Sequence, residues 1–315
     1  MKTVLPDALK SDLPANLWGK ILSATPVVMT VIATMLAGLA SSEMTKAQYD
    51  RSLAAQQQSK AGDQWSFFQA KRLRSALQRN TLDLLQAGNA VHPLDPAALQ
   101  PAAGSSDSDT SKIVSLLDSD AGKQTLALLQ RGELPDSATP APIAPEVRAA
   151  LGAIEELKPD GEIAMLLAKI SDPVLTATLL AAKGRTDAFD ATTKPVNQII
   201  ETLETAVQHR DNGGALNRDF TVARLRFAAL RYDAEARLNQ AIASLYELQV
   251  RKSNLSAERH HARSQRFFYG MLGAQMAVII ATFAIAARQR NLLWSLAAAA
   301  GIAALGFAAY VFLYV

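Results

Sequence analysis

Residues able to do chemistry are few in this chain, and their spacing suits no familiar reaction. There are four histidines (His92, His209, His260 and His261) and no cysteine. Without thiols, disulfide scaffolds, thiolate zinc sites, iron–sulfur clusters and cysteine nucleophiles are excluded. His260 and His261 are adjacent, so on a helix they point about 100° apart and cannot face one metal ion together. Glu258, two residues earlier, lies off that face as well. Glu155, Glu156, Asp160 and Glu162 form an acidic cluster, but it lacks the alternating carboxylates, bend glycine and distal glutamate of a calcium loop. Ala182-Lys183-Gly184-Arg185 lacks the leading glycine of a phosphate loop, and no Gly-x-Ser-x-Gly elbow occurs. The expectation is a protein that is not an enzyme, with no catalytic residue, no cofactor and no metal.

The elements that carry these residues are easier to read. Of 315 residues, 49% are hydrophobic but only 6% aromatic, and 32 basic and 29 acidic side chains coexist with them. Mean hydropathy is nevertheless +0.06, so the apolar residues must be gathered in blocks. Three uncharged runs hold them: Ile21–Ser42, Phe267–Ala287 and Asn291–Val315, of 22, 21 and 25 residues. Each reaches the roughly 20 residues that cross a hydrocarbon core as helix. The first exceeds a signal-peptide core of about 7–15 residues, and Asp7 and Asp12 precede it. It reads as an uncleaved anchor bent at Pro26. The other two runs, separated by Arg288-Gln289-Arg290, form a hairpin. Gly273, Ala277 and Ala281, and then Ala297 and Gly301, recur at four-residue spacing, a small-residue ridge that allows close helix approach. No ionisable side chain interrupts the runs, which disfavours an autonomous pump or channel.

Between the anchors, proline placement divides residues 41–266. Ten of the 13 prolines lie between Pro93 and Pro195. Neither proline nor glycine occurs from 215 to 269, and only Gly62 from 39 to 87. Because proline breaks helix interiors and glycine weakens them, two long helices are expected, 41–88 and 215–266. Each continues a membrane run, so they should lie antiparallel. Phe220, Ala223, Phe227, Leu230, Ala234, Leu238, Ile242, Leu245, Leu248 and Leu255 supply an apolar seam in the second arm, at mostly three- and four-residue steps. Leu53, Ala61, Trp65, Phe68, Leu73, Leu77 and Leu84 supply one in the first. Three- and four-residue steps of this kind make a coiled coil, and the seam could equally join chains. The middle reads as short helices near Ser111–Gln130, Pro145–Leu157, Gly161–Ile170, Pro173–Lys183 and Val196–Arg210, with Pro/Ala/Ser-rich linkers and no strand alternation. The expected fold is therefore an all-α membrane protein with three transmembrane helices, a long antiparallel coiled-coil-like helical stalk and a small helical tip module. Its divisions are a leader and first span (1–40), first stalk helix (41–88), acidic tip module (89–214), second stalk helix (215–266) and transmembrane hairpin (267–315).

The net charge of +3 conceals an uneven distribution: residues 41–89 carry +3, 90–215 carry −8 and 216–266 carry +5. The basic groups flank the membrane runs, so a pI near 9.1 does not argue for nucleic acid. Arg251, Lys252, Arg259, Arg263 and Arg266 are placed to meet lipid headgroups. Orientation follows Lys and Arg in short loops. Lys2, Lys10 and Lys20, with Arg288 and Arg290, put the N-terminus and the hairpin turn inside and the acidic module in the periplasm of a two-membrane bacterium. The basic foot of the second arm argues for the opposite, cytoplasmic, placement.

The segment Gln64-Trp65-Ser66-Phe67-Phe68-Gln69-Ala70-Lys71 resembles the signature of a bacterial membrane-protein family catalogued as domain of unknown function 4337. That family pairs an N-terminal span with such a helix and closes with a two-span hairpin. Gln64, Trp65, Gln69, Ala70 and Lys71 match the motif, and Gln275 to Ala286 is similar to the first hairpin span. The resemblance covers about 15–85 and 230–315; the acidic middle is longer than the family's usual one. It implies no catalytic residues. Gln64, Trp65, Phe68, Gln69, Ala70 and Lys71 read as stalk packing. The expected function is a non-enzymatic integral membrane scaffold that forms a homo-oligomer and offers its acidic tip to a protein partner. The alternative is an accessory subunit of a membrane transport or energy-coupling complex in the bacterial inner membrane.

Overall fold

A computed structural model of the chain describes residues 17–99, 108–134, 136–210, 214–286 and 290–314. The basic leader, most of the first Pro/Ala/Ser-rich loop, Gly213 and the turn residues Arg288 and Gln289 lie outside the described residues. The described residues are helical and contain no strand. In chain order the helices are α1 (Leu17–Gly88), α2 (Pro96–Leu99), α3 (Ser108–Asp118), α4 (Asp120–Arg131), α5 (Pro145–Glu155), α6 (Asp160–Lys169), α7 (Asp172–Arg210), α8 (Ala215–Ala286) and α9 (Arg290–Tyr314). α1 and α8 are 72 residues each, in line with the glycine- and proline-poor stretches. Pro26 lies inside α1, where the helix continues without interruption. Three helices, α1, α8 and α9, each contain a segment long and apolar enough to cross a membrane.

The described chain divides into two compact units, residues 1–54 with 253–315, and residues 55–252. In the first, α1, α8 and α9 pack through small side chains. Ala33, Ala274 and Ala304 share one buried cluster, and Leu36, Ala40 and Phe267 another. Ala277, Ala281, Ala284 and Ala297 are fully buried. A Cβ on Gly273 would stand 3.6 Å from the Ala304 methyl, and one on Gly270 3.3 Å from Leu36 Cδ1. Large apolar side chains (Val27, Val31, Met35, Ile279, Phe283, Ile302, Leu305) point outward instead. Small inside and large outside inverts the arrangement of a water-soluble core and suits helices surrounded by hydrocarbon.

In the second unit α8 is the central helix. Phe220, Leu225, Phe227, Ala234, Leu238, Ala243, Leu245 and Leu248 are all buried, although they point to several sides of it. α1 covers one flank, running antiparallel: Trp65 pairs with Glu247, Arg72 with Asp233, and Ser75 Oγ donates to the Ala229 carbonyl at 2.9 Å. α7 covers another flank, also antiparallel. Its Asp172 pairs with Lys252, Phe189 packs on Ala234 and Leu238, and Glu204 meets Arg224 at 3.2 Å. α3 and α4 close the end of the unit around Leu117, Leu126, Leu129, Leu203 and Phe220.

Three sequence expectations are corrected here. First, the pairing of two arms becomes a three-helix array, because α7 continues through Pro195 as a single 39-residue helix rather than two short ones. Phe189, Thr193, Val196, Ile200, Leu203 and Val207 bury one continuous face, and that burial outweighs the hydrogen bond Pro195 cannot donate. Second, the helix expected over Ser111–Gln130 is two helices broken at Ser119, which caps α4 by accepting from Gly122 N at 3.0 Å. Gly122 is required there, since a Cβ would meet the Leu116 carbonyl oxygen at 1.9 Å. Third, the buried face of α1 keeps Ala61 and Phe68 of the expected seam but not Leu73, Leu77 and Leu84. Ala54, Ala61 and Ser75 are buried, with Phe68 and Leu82 half-buried, at strict seven-residue intervals. Leu73, Leu77 and Leu84 face outward at 63%, 53% and 75% exposure.

Candidate functional site

The motif on α1 lies where three helices of the second unit converge. Gln64, Phe67 and Lys71 form one wall of a cleft of about 420 Å³; Lys183, Thr186, Asp187 and Asp190 of α7 form the other, and Glu235, Asn239 and Ile242 of α8 the floor. Each wall repeats at intervals of three to four residues, so a single face of each helix is involved. At the floor, Glu235 is 7% exposed. It is ion-paired to Lys71 and stands 3.8 Å from Arg231 Nε. Burial raises the Asp190 carboxyl above the ordinary range, the negative charge of Glu235 adds to the rise, and Lys71 and Arg231 oppose it. The buried Oε1 of Gln64 meets no donor among the described residues.

The other motif residues turn elsewhere. Trp65 is half-buried and donates from Nε1 to Glu247 Oε1 at 2.8 Å, and it meets Phe68 edge-on at 5.3 Å. Gln69 and Ala70, expected as packing residues, are exposed, because they lie on the side of α1 away from Ala61 and Ser75. Lys71 and Arg74 stand over the Tyr232 ring at 5.5 and 5.9 Å. Asp233 collects Arg72 at 2.7 Å, Arg79 at 3.6 Å and Arg237 at 3.8 Å. The charged groups of this region thus tie helices together in pairs.

The seam expected to join chains is also corrected. Phe227, Leu238, Ile242 and Leu245 are between 0 and 3% exposed, and Leu230 is half-buried. They belong to the faces of α8 that pack inside this chain. The sequence signal for the helix that covers them was present in α7, whose Phe189, Thr193, Val196, Ile200, Leu203 and Val207 step by three and four residues.

In the first unit, Arg259 is exposed, while Arg263 and Arg266 are half-buried; Arg266 stands 5.4 Å from the Tyr310 ring. Lys252 belongs to the second unit and is engaged by Asp172 and the Ile170 carbonyl, so it is not a headgroup contact. The adjacent histidines diverge as helix geometry requires. His260 Nδ1 meets Glu43 Oε2 at 2.6 Å, and His261 pairs with Gln265 at 3.1 Å. Among the described residues no three His, Cys, Asp or Glu side chains are grouped to hold a metal ion.

No curated protein and no solved structure matches this chain. Residues 18–115, which include all but the first residue of α1 and the motif with it, match the family described as Domain of unknown function (DUF4337).

Proposed function

We propose that the protein is a non-enzymatic, membrane-anchored scaffold or assembly protein that self-associates and presents an acidic helical module to a protein partner. The observation that carries this reading is how the ionisable side chains of the second unit are used. Lys71, Arg72, Arg79, Arg224 and Lys252 are engaged with carboxylates on neighbouring helices. That is the pattern of a rigid support rather than of a reaction centre, where perturbed groups would converge on a bound molecule. The region 90–215 retains a charge of −8, which favours a basic protein surface as partner and disfavours nucleic acid. The outward-facing apolar side chains of α1, α8 and α9 support anchoring in a bilayer, here the bacterial inner membrane, with the soluble part periplasmic and the cytoplasmic side as the alternative.

Affinity purification of the full chain from its native membrane, with quantification of every co-purifying polypeptide, tests the proposal. Self-assembly of the purified chain with substoichiometric partners is the expected result. Fixed stoichiometry with other membrane polypeptides would replace the scaffold reading by that of an accessory subunit of a transport or energy-coupling complex. Turnover of a small molecule by the purified chain would overturn both.

A further inference from the structure

The outer face of α1 in the second unit carries an apolar stripe that the chain does not cover. Ala70, Leu77 and Leu84 recur every seven residues, with Leu73 and Asn80 between them. These five residues are exposed, on the side opposite Ser75, which is buried against α8. A seven-residue recurrence with intervening positions three further on is the pattern by which one helix supercoils with another.

Three features fix the occupant. Only Arg74 and Asp83 bring charge to the flanks of the stripe, because Arg72 and Arg79 are already drawn to Asp233 at 2.7 and 3.6 Å. A strongly acidic or basic partner helix would find little complementary charge there. Between two identical helices in parallel, the flanking positions meet as Gln69 with Arg74, Ala76 with Thr81 and Asp83 with Gly88, so no like charges oppose each other. Finally, the stripe lies on the same helix as, and C-terminal to, a segment apolar enough to cross a membrane. Copies inserted in one bilayer therefore bring this stripe together in parallel, at the raised effective concentration that tethering supplies.

We infer that a second copy of this chain covers the stripe, forming a parallel two-stranded coiled coil in which Leu73, Leu77 and Leu84 each meet their own counterparts and Asn80 sets the register. The inference rests on the self-association reading and moves the contact from α8 to α1.

Because the chain contains no cysteine, single cysteines report this contact cleanly. Parallel pairing brings Leu77→Cys and Leu84→Cys opposite their own copies, near the roughly 5.5–6 Å Cα separation that a disulfide spans. In membranes treated with a mild oxidant, both variants should give a cross-linked dimer, and Gln86→Cys, exposed on the opposite side of the helix, should not. Leu73→Lys with Leu77→Lys should lose the oligomer while keeping its helical circular dichroism. Equal cross-linking at Gln86→Cys, or none at Leu77→Cys, overturns the inference. An oligomer that survives the double lysine variant overturns this interface but leaves self-association standing. A wild-type particle of monomer mass overturns both.

Discussion

Glu43 and His260, 217 residues apart in the chain, meet at 2.6 Å, and Lys46 Nζ donates to the same carboxylate at 2.7 Å. Burial pushes the Glu43 carboxyl upward, but the hydrogen bonds from Lys46 and His260 and their charges outweigh it, and the group is held below the ordinary carboxylate range. A depressed acid contributes stability above its unfolded value of about 4.3 and loses it as the pH falls through the lower folded value. Glu43→Gln should therefore lower the melting temperature at neutral pH. The loss should be on the order of 1.5–3 kcal/mol, and it should shrink below about pH 4. Thermal unfolding in detergent across that range checks it; a deficit independent of pH would exclude the ionic origin.

Asp190 carries the opposite sign. Its carboxyl is raised by burial and by Glu235, with Asp187 adding to the rise and Lys71 and Arg231 opposing it. A raised acid favours the folded state fully below its unfolded pKa, and that contribution is lost as the pH rises through the folded value. Asp190→Asn should thus raise the melting temperature at neutral pH and bring no gain in acid. The comparison needs only unfolding curves for the two proteins at two pH values, and a melting temperature lowered at neutral pH would refute the sign.

The inner face of α1 contrasts two neighbours. Ala61 is fully buried, so Ala61→Leu should overpack the contact and cost about 1–3 kcal/mol. Gly62 is exposed within the same helix, and a Cβ there would meet nothing within 4 Å. Gly62→Ala should therefore stabilise by about 0.5–1 kcal/mol. Opposite shifts in unfolding midpoint are expected from adjacent positions. Shifts of the same sign would mean that the packing of α1 differs from that described.

Topology is open to direct labelling in a chain without native cysteine. With the acidic module in the periplasm, Ser105→Cys should react with an impermeant maleimide in intact cells and Gln289→Cys should not. The reverse pattern would place the module in the cytoplasm.

The sequence was most legible where local rules act alone. α1 and α8 follow from stretches poor in proline and glycine, and the three apolar segments from the absence of charge. It was least legible where burial overrides a local rule. Pro195 reads as a break, yet α7 continues through it while Phe189, Val196 and Leu203 pack inside the unit. Missing that helix left α8 with a bare flank in the reading, and Phe227, Leu238 and Ile242 were assigned to a contact between chains. Leu73, Leu77 and Leu84 were taken for the inner face together with Ala61 because apolarity marks a stripe without saying which side the neighbour occupies; Ala61 does lie there, beside Ala54 and Ser75, and the three leucines do not. Gln64 and Lys71 were recognised as motif residues, but Lys183, Asp187 and Asp190 opposite them could not be, since only the folded array brings α7 alongside α1.

The position of α8 also has a consequence for biogenesis. The helix against which both α1 and α7 pack is the last of the three to leave the ribosome. Until residues 220–252 emerge, the inner face of α1 in this unit lacks the helix it closes upon, and α7 has α3 and α4 but not α8 to pack against; the α1 contacts with α8 are separated by 154 to 182 residues. Contacts that must wait for a distant partner leave apolar surface exposed in the meantime. For an interval set by translation, the nascent chain holds the inner face of α1 open, and a ribosome stalled before Phe220 would release a fragment in which Ala61 and Ser75 have lost the helix that buries them.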